Sequence, residues 1–247
     1  MLEACIDVCT REERTLSVLR AVLGLGFIAV ELENGAVGLS ANIAVSTVTG
    51  CSVFKKAGTL AGSPVACLLD LAKADDLMSR SLALAAVNAI AAGRPCGRKG
   101  DVFDRIKISS GYRVAMVGMI EPVARMLAGK GCEVSAFDLR NRTESCIQSA
   151  DRIPEVFRHA DSIILSGTTL ITKSLPGLLA LSGSAREVIL MGPSTPMIPE
   201  IFSSTPISFL AGARITDSRS ACTIVMEGGG TQELYRSKAM DKVIQEV

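Results

Sequence analysis

Asp138 follows Gly118 by 20 residues, and Gly118 closes a short apolar run, Val114 to Val117. At that spacing dinucleotide-binding units place an acid on the ribose hydroxyls. The turn between them is poorly made for a diphosphate. Met119, Ile120 and Glu121 stand where a phosphate-cradling loop would carry further glycines, and a carboxylate at Glu121 repels a pyrophosphate. A cation, an amine or a small ligand with an adenosine-like sugar suits such a mouth better. The plainer reading of Asp138 is an ordinary strand-end acid.

Two further stretches share a chemistry. "SGTTLIT" (Ser166 to Thr172) offers Gly167, Thr168 and Thr169; "GPSTPM" (Gly192 to Met197) offers Gly192, Pro193, Ser194 and Thr195. Each puts a glycine at a predicted strand end and hydroxyls ahead of a predicted helix. Hydroxyls there cap orphan N–H groups. Two such loops side by side would also attract a phosphate or carboxylate.

Asn88 stands among alanines on a predicted helix, and a buried amide needs partners. It either ties that helix to a hairpin or faces a cleft between two halves of the chain. Ser46, Thr47, Thr49 and Cys51 form a polar cluster in an apolar setting, and Asp101 and Asp104 lie where they could close such a cleft. His159 is the one histidine, which excludes a His-rich metal site; it is expected on the surface, at the wrong end of the sheet to act as a base. The 8 cysteines contain no C-x-x-C pair and are expected to be mostly small buried apolar residues.

The elements that must position these groups fall into two sets. In the first, "TREERTLSVLRAVLGLG" predicts a helix with a capping box at Thr10 and Glu13, ending near Gly24. "FIAVELENGAVGLSAN" predicts a hairpin at Asn34-Gly35. Two helices follow, the second capped by Asp76 and stopped at Gly93. From Tyr112 short apolar strands alternate with helices, the pattern of a parallel sheet covered on both faces. The strand ends then point to Gly118–Glu121, Asp138–Arg140, Ser166–Thr172, Gly192–Met197 and Ala211–Asp217 as the ligand-facing loops. The tail from Thr231 predicts a terminal helix. The expected architecture is an α+β unit over residues 1–105 and a doubly wound α/β unit over residues 106–247.

Composition narrows the function. A net charge of +1 with no basic block argues against nucleic acid. The most apolar stretch, "LALAAVNAIAAG", is too short to span a bilayer, and with no secretory signal at the start the expectation is a cytoplasmic protein with no membrane partner. At 48% hydrophobic residues the chain is compatible with a homodimer.

"RSLALAAVNAI", "VAMVGMIEP", "DLR", "ILSGTTLIT", "VILMGPSTPM" and "LAGARITD", in this order, resemble a family of prokaryotic proteins of unknown function associated with heavy-metal chelation. The resemblance runs from near Thr10 to near Gly230. It implies an enolase N-terminal-like domain followed by a Rossmann-like domain, with a pocket between them for a small molecule or a divalent heavy metal. Carried over, the site comprises Gly118, Met119 and Glu121, then Gly167 to Thr169, then Gly192 to Thr195, with Asn88 facing them; Thr172 stands where the family is expected to show asparagine. Side-chain metal donors near that pocket would be Cys51, Met119, Glu121 and Asp138, in no diagnostic spacing. Two other readings stay open. One is an enzyme using a nucleoside-containing cofactor of S-adenosylmethionine or nicotinamide type at Gly118 and Asp138. The other is a small-anion or metabolite-binding module without turnover.

Overall fold

The structure, a computed structural model, describes residues 1–44, 54–95, 97–138 and 145–247. Ser46, Thr47, Thr49, Cys51, Cys96, Leu139 and Arg140 lie outside the described residues.

The first lobe opens with helices α1 (Leu2–Asp7) and α2 (Arg11–Thr15), then an antiparallel sheet of β1 (Val18–Leu23), β2 (Phe27–Leu32) and β3 (Val37–Ala41). The capping box is present: Glu13 N–H donates to the Thr10 hydroxyl and Thr10 N–H to the Glu13 carboxylate. The helix expected to run on to Gly24 instead stops at Thr15. Leu16 and Val18 are bound to the 62–65 segment: Val18 N–H donates to Ser63 O, Gly62 N–H to Val18 O and Val65 N–H to Leu16 O. These bonds hold the backbone extended, and β1 pairs with β2. Asn34-Gly35 makes the expected hairpin turn, with Gly35 at φ +81°, a conformation in which a Cβ is strained.

Short α3 (Ala66–Leu69) leads into α4 (Leu77–Ala92), which Asp76 caps by accepting from Ser79 N–H at 2.8 Å. Every residue from Met78 to Ala91 is buried. A helix buried all round must be covered on all sides. One side packs on β2 and β3, and the same apolar core continues into Leu165, Leu170 and Ile171 of the second lobe. Gly38 lets the helix close on β3: a Cβ there would stand 2.1 Å from Ala89 N and 2.2 Å from Ala85 O.

The second lobe is a seven-stranded sheet in the order β4-β10-β9-β8-β7-β5-β6. Its strands are β4 (Arg98–Lys99), β5 (Arg113–Val117), β6 (Glu133–Phe137), β7 (Ser162–Ser166), β8 (Glu187–Met191), β9 (Phe209–Ile215) and β10 (Met240–Glu246). Helices α5 (Glu121–Gly129), α6 (Ile153–His159), α7 (Leu175–Ala180), α8 (Ser218–Met226) and α9 (Thr231–Arg236) complete it. Strands β5 to β9 are parallel, and counted from β5 their order is the 2-1-3-4-5 of a doubly wound sheet. The pairing of this sheet takes in Arg98 and Lys99, ahead of residue 105, through antiparallel contact with β10.

The tail is helical only to Arg236. After Lys238, at φ +59°, it returns as β10, antiparallel to β9. The segment from Ala211, expected to be a loop, is strand as far as Ile215, because β10 supplies a partner along its whole length. The central front strand β2 is buried from end to end rather than on one face. Ile28, Val30 and Leu32 share a core with α4, while Phe27 and Ala29 share one with Ala221, Cys222 and Val225 of α8. The front sheet is thus clasped between its own helix and the second lobe. Among the described residues no helix is long and apolar enough to cross a membrane.

Candidate functional site

The loops expected to form the site are neighbours along the carboxyl edge of the parallel sheet, but they do different things. At the switch in strand order, between β5 and β7, Gly118 has φ +84° and packs so tightly that a Cβ would lie 2.5 Å from Ser166 Cβ. Met119 N–H donates to the Asp138 carboxylate at 2.8 Å, and Gly118 N–H to Phe137 O at 2.7 Å. Asp138 therefore bonds an amide that a phosphate at this turn would need. Met119 is buried in the core beneath. Glu121 is exposed at the start of α5 and pairs with Arg125 one turn on.

The hydroxyls after β7 are turned inward on their own loop. Thr168 N–H and Oγ1 both donate to Ser166 Oγ, and Thr169 Oγ1 donates to Ser166 O at 2.7 Å. Neither hydroxyl loop opens directly onto an α-helix, contrary to expectation. Gly167–Thr169 is a single 3-10 turn with α7 beginning later, and the loop after β8 reaches only the 3-10 turn Pro199–Ile201. Pro193, Pro196 and Pro199 lack the N–H groups that a helix there would use. The anion site at paired helix starts is accordingly not built. The two loops do touch: a Cβ on Gly167 would lie 2.6 Å from Ser194 C.

A cleft lies two strands along from the switch point, between the lobes. Val37, Gly38 and Leu39 of β3 and Asn88, Ala91 and Ala92 of α4 form its front wall. Pro193, Thr195 and Met197 after β8, with Ala213 to Ile215 of β9, form the rear wall. It encloses about 390 Å³ with its open mouth included, and the whole of it has room for only about one water-sized group. Of the residues singled out from sequence, Asn88, Pro193 and Thr195 line it. Gly118, Met119, Glu121, Asp138, Gly167, Thr168, Thr169, Gly192 and Ser194 do not. Ser194 instead latches the lobes, its hydroxyl accepting from Ala41 N–H at 2.8 Å. Arg80 is a second tie, with Nε donating to Ile171 O at 2.6 Å. Asp101 is engaged elsewhere, with Lys242 at 2.6 Å.

Asn88 holds both of its expected roles in part. Its Nδ2 donates to Leu39 O at 2.7 Å, tying α4 to β3, and this leaves Oδ1 as the atom with nothing to accept from. Among the described side chains, Ser81 Oγ, Asn88 Oδ1 and Thr195 Oγ1 are buried without a hydrogen-bond partner. Two of these belong to residues that line the same cleft from opposite lobes. Native proteins rarely leave such atoms unsatisfied. Leu39 lines the cleft without having been flagged in the sequence, while Met197 and Arg214 lie within the loops expected to face a ligand but were not themselves singled out. The segment holding Arg214, expected to be a ligand-facing loop, is strand paired with β10, with Arg214 opposite Asp241.

The model of the DUF364 family, described as "Putative heavy-metal chelation", matches residues 101–244. The chain belongs to this family. A companion model, DUF4213, with the same description, matches residues 7–91. The uncharacterized protein MJ0500 of Methanocaldococcus jannaschii is 28% identical over 162 residues, which cover 60% of this chain and 60% of that protein. The chain thus matches less than two thirds of that relative's length. A DUF364 crystal structure of unknown function from Desulfitobacterium hafniense superposes with a TM-score of 0.81 at 23% identity, covering 100% of this chain and 96% of that one. Another from Pyrococcus horikoshii gives 0.80 at 22% identity, covering 100% of both chains. At such identities the likeness establishes the shared fold.

A heavy metal needs several thiolate, imidazole or carboxylate donors converging on one point. Among the described residues no three His, Cys, Asp or Glu side chains do so. The thiols of Cys5, Cys9, Cys132 and Cys222 are all pushed up by burial, so they keep their protons and are poor ligands. Asp138 and Glu121 already have partners. The described donor set does not fit a bare heavy-metal ion.

Proposed function

We propose that the cleft between the lobes binds a small polar organic molecule, and that a metal handled by this protein enters as part of such a molecule rather than as a bare ion. The reading is carried by Asn88 Oδ1 and Thr195 Oγ1, two buried and unpartnered polar atoms on residues from opposite walls of one cleft. Burying either costs free energy until something pairs with it, and a ligand spanning the two lobes would pair with both.

The nucleoside-cofactor alternative draws on the spacing of Gly118 and Asp138. It is the weaker reading, since the carboxylate bonds the Met119 amide and Gly118 lies hard against Ser166.

The test is a thermal-shift screen of the intact protein against divalent metal ions alone and against small polar molecules, with and without metal. The expected result is stabilisation by an organic molecule, lost in Thr195→Val. Stabilisation by a bare ion that Thr195→Val leaves unchanged would overturn the reading.

A further inference from the structure

Independently of what the cleft binds, we infer that Asn34 is a site of self-modification: its side-chain amide is lost to attack by the Gly35 peptide nitrogen, and the product loosens the hairpin that carries the front wall of the cleft. Two asparagines of the front lobe make the same local bond, and the contrast between them carries the inference. Asn34 Oδ1 accepts from Ala36 N–H at 3.1 Å, and Asn42 Oδ1 from Ala44 N–H at 3.3 Å. Each bond folds the side-chain carbonyl forward over the peptide nitrogen that lies between the two partners in the chain. The residue supplying that nitrogen differs. After Asn34 it is Gly35, exposed, with nothing within 4 Å of where a Cβ would stand. After Asn42 it is Ile43, whose branched side chain crowds the nitrogen. The leaving group differs too. Asn42 Nδ2 is held by Gly24 O at 2.7 Å, whereas Asn34 is exposed and its Nδ2 makes no hydrogen bond among the described residues. Asn88 is buried within α4.

The Gly35 nitrogen gives its proton to hydroxide and bonds to Asn34 Cγ. The Cγ–Nδ2 bond breaks, and ammonia leaves with a proton from water, closing a five-membered imide. Water then opens the ring. Opening at Cγ gives aspartate; opening at the main-chain carbonyl gives isoaspartate, with the chain running through Cγ. One ammonia is released, one water is taken up, and nothing is oxidised or reduced. Gly35 N–H donates to Leu32 O at 2.9 Å, a bond that must open before the proton is lost, so the folded hairpin reacts more slowly than the unfolded chain. Both products act on the fold. Asn34 Nδ2 lies at the end of α4, 3.6 Å from where a Cβ on Gly93 would stand, and a carboxylate there meets the negative end of the helix dipole. Isoaspartate adds a main-chain carbon to a turn whose length sets the register of β2 on β3, and Val37 to Leu39 of β3 line the cleft.

The experiment holds the full chain in alkaline and in mildly acidic buffer, folded and in guanidinium chloride, and follows each asparagine by peptide mapping, with isoaspartate told from aspartate by fragmentation. Asn34→Gln, which would have to close a larger ring, is the control, and Asn34→Asp stands for one product. A gain of one dalton should appear at Asn34, faster in alkaline buffer and faster still in denaturant. In the folded chain it should run at least about tenfold faster than at Asn42, since only glycine leaves the attacking nitrogen uncovered. Asn34→Gln should keep its amide. Asn34→Asp and the aged parent should both unfold at a lower urea midpoint than the fresh parent. If Asn34 of the folded chain keeps its amide through weeks in the alkaline buffer, or if Asn42 converts as fast, the assignment is wrong. If Asn34 converts and the urea midpoint does not move, the effect on the hairpin is overturned.

Discussion

The backbone N–H of Ala41, at the end of β3, donates to the hydroxyl of Ser194 at 2.8 Å. The two residues are 153 positions apart, and Ser194 is almost wholly buried. This bond fastens the front sheet to the loop after β8, beside the cleft that Thr195 and Asn88 line. Ser194, singled out in the sequence as a ligand group, is thus engaged in a bond that joins the two walls of the cleft.

Ser194→Ala removes the acceptor and leaves the Ala41 amide without it. The expected loss is about 1–3 kcal/mol of stability, the cost of stranding a buried donor, read as a lower urea midpoint at unchanged slope. If Ser194→Ala unfolds at the same midpoint as the parent, the bond does not couple the lobes.

Gly38→Ala should be far more damaging than its size suggests. The added methyl meets the backbone of α4 at Ala89 N and Ala85 O, closer than 2.5 Å to both, and neither can swing aside as a side chain would. A loss of at least about 3 kcal/mol is expected, beyond the usual range for overpacking. Circular dichroism and soluble yield should both fall. By contrast, an alanine at Gly177, with open space around it, should be tolerated on packing grounds.

Glu13 joins α2 to the end of α4. The hydrogen-bonded Arg94 guanidinium, together with the Thr10 amide, holds its carboxyl below the usual carboxylate range despite partial burial. A lowered folded-state value means the unfolded chain binds the proton first. The stabilisation is complete above the ordinary glutamate value of about 4.3, and it is lost as the pH falls through the lowered one. Between about pH 5 and pH 3 the parent should lose stability more steeply than Glu13→Gln. Identical pH slopes for parent and variant in urea unfolding would refute this.

The thiols should divide by burial. Cys5, wholly buried in α1, is pushed up to about 12 by desolvation, and Cys222, behind the front sheet, is raised by the same cause against the charge of Arg20. Cys67 is exposed. With an aromatic disulfide reagent near pH 8, Cys67 should react within minutes while Cys5 and Cys222 react only after unfolding. Peptide mapping of the labelled sites checks the order, and early labelling of Cys222 would mean that α8 opens from the sheet.

Local rules were legible where one short segment carries its own instructions. The caps at Thr10 and Asp76, the Asn34-Gly35 turn and the apolar runs of β5, β7 and β8 each depend on contacts within a few residues. Leu16 to Leu23 misled because its apolar positions fit a helix as well as a strand; the choice falls to bonds from Ser63 and to pairing with β2. The tail misled for the same reason, since β10 exists only because β9 presents an open edge. At the site, Asn88 could be singled out as an amide in an apolar helix. Thr195 was only one hydroxyl of a loop, and nothing local distinguished it from Thr168, which bonds Ser166 beside it.

The sequence by itself determined the doubly wound sheet, the smaller sheet-and-helix lobe and the polar loops at the strand ends, because periodicity and capping act over short distances. Only the tertiary structure decided which polar groups are used up and which are left over. Ser194 is spent on Ala41, Thr168 on Ser166 and Asp138 on Met119, while Asn88 Oδ1 and Thr195 Oγ1 remain unpartnered. A hydrogen bond is a relation between partners far apart in the chain, so its absence can be seen only once the lobes have closed on each other.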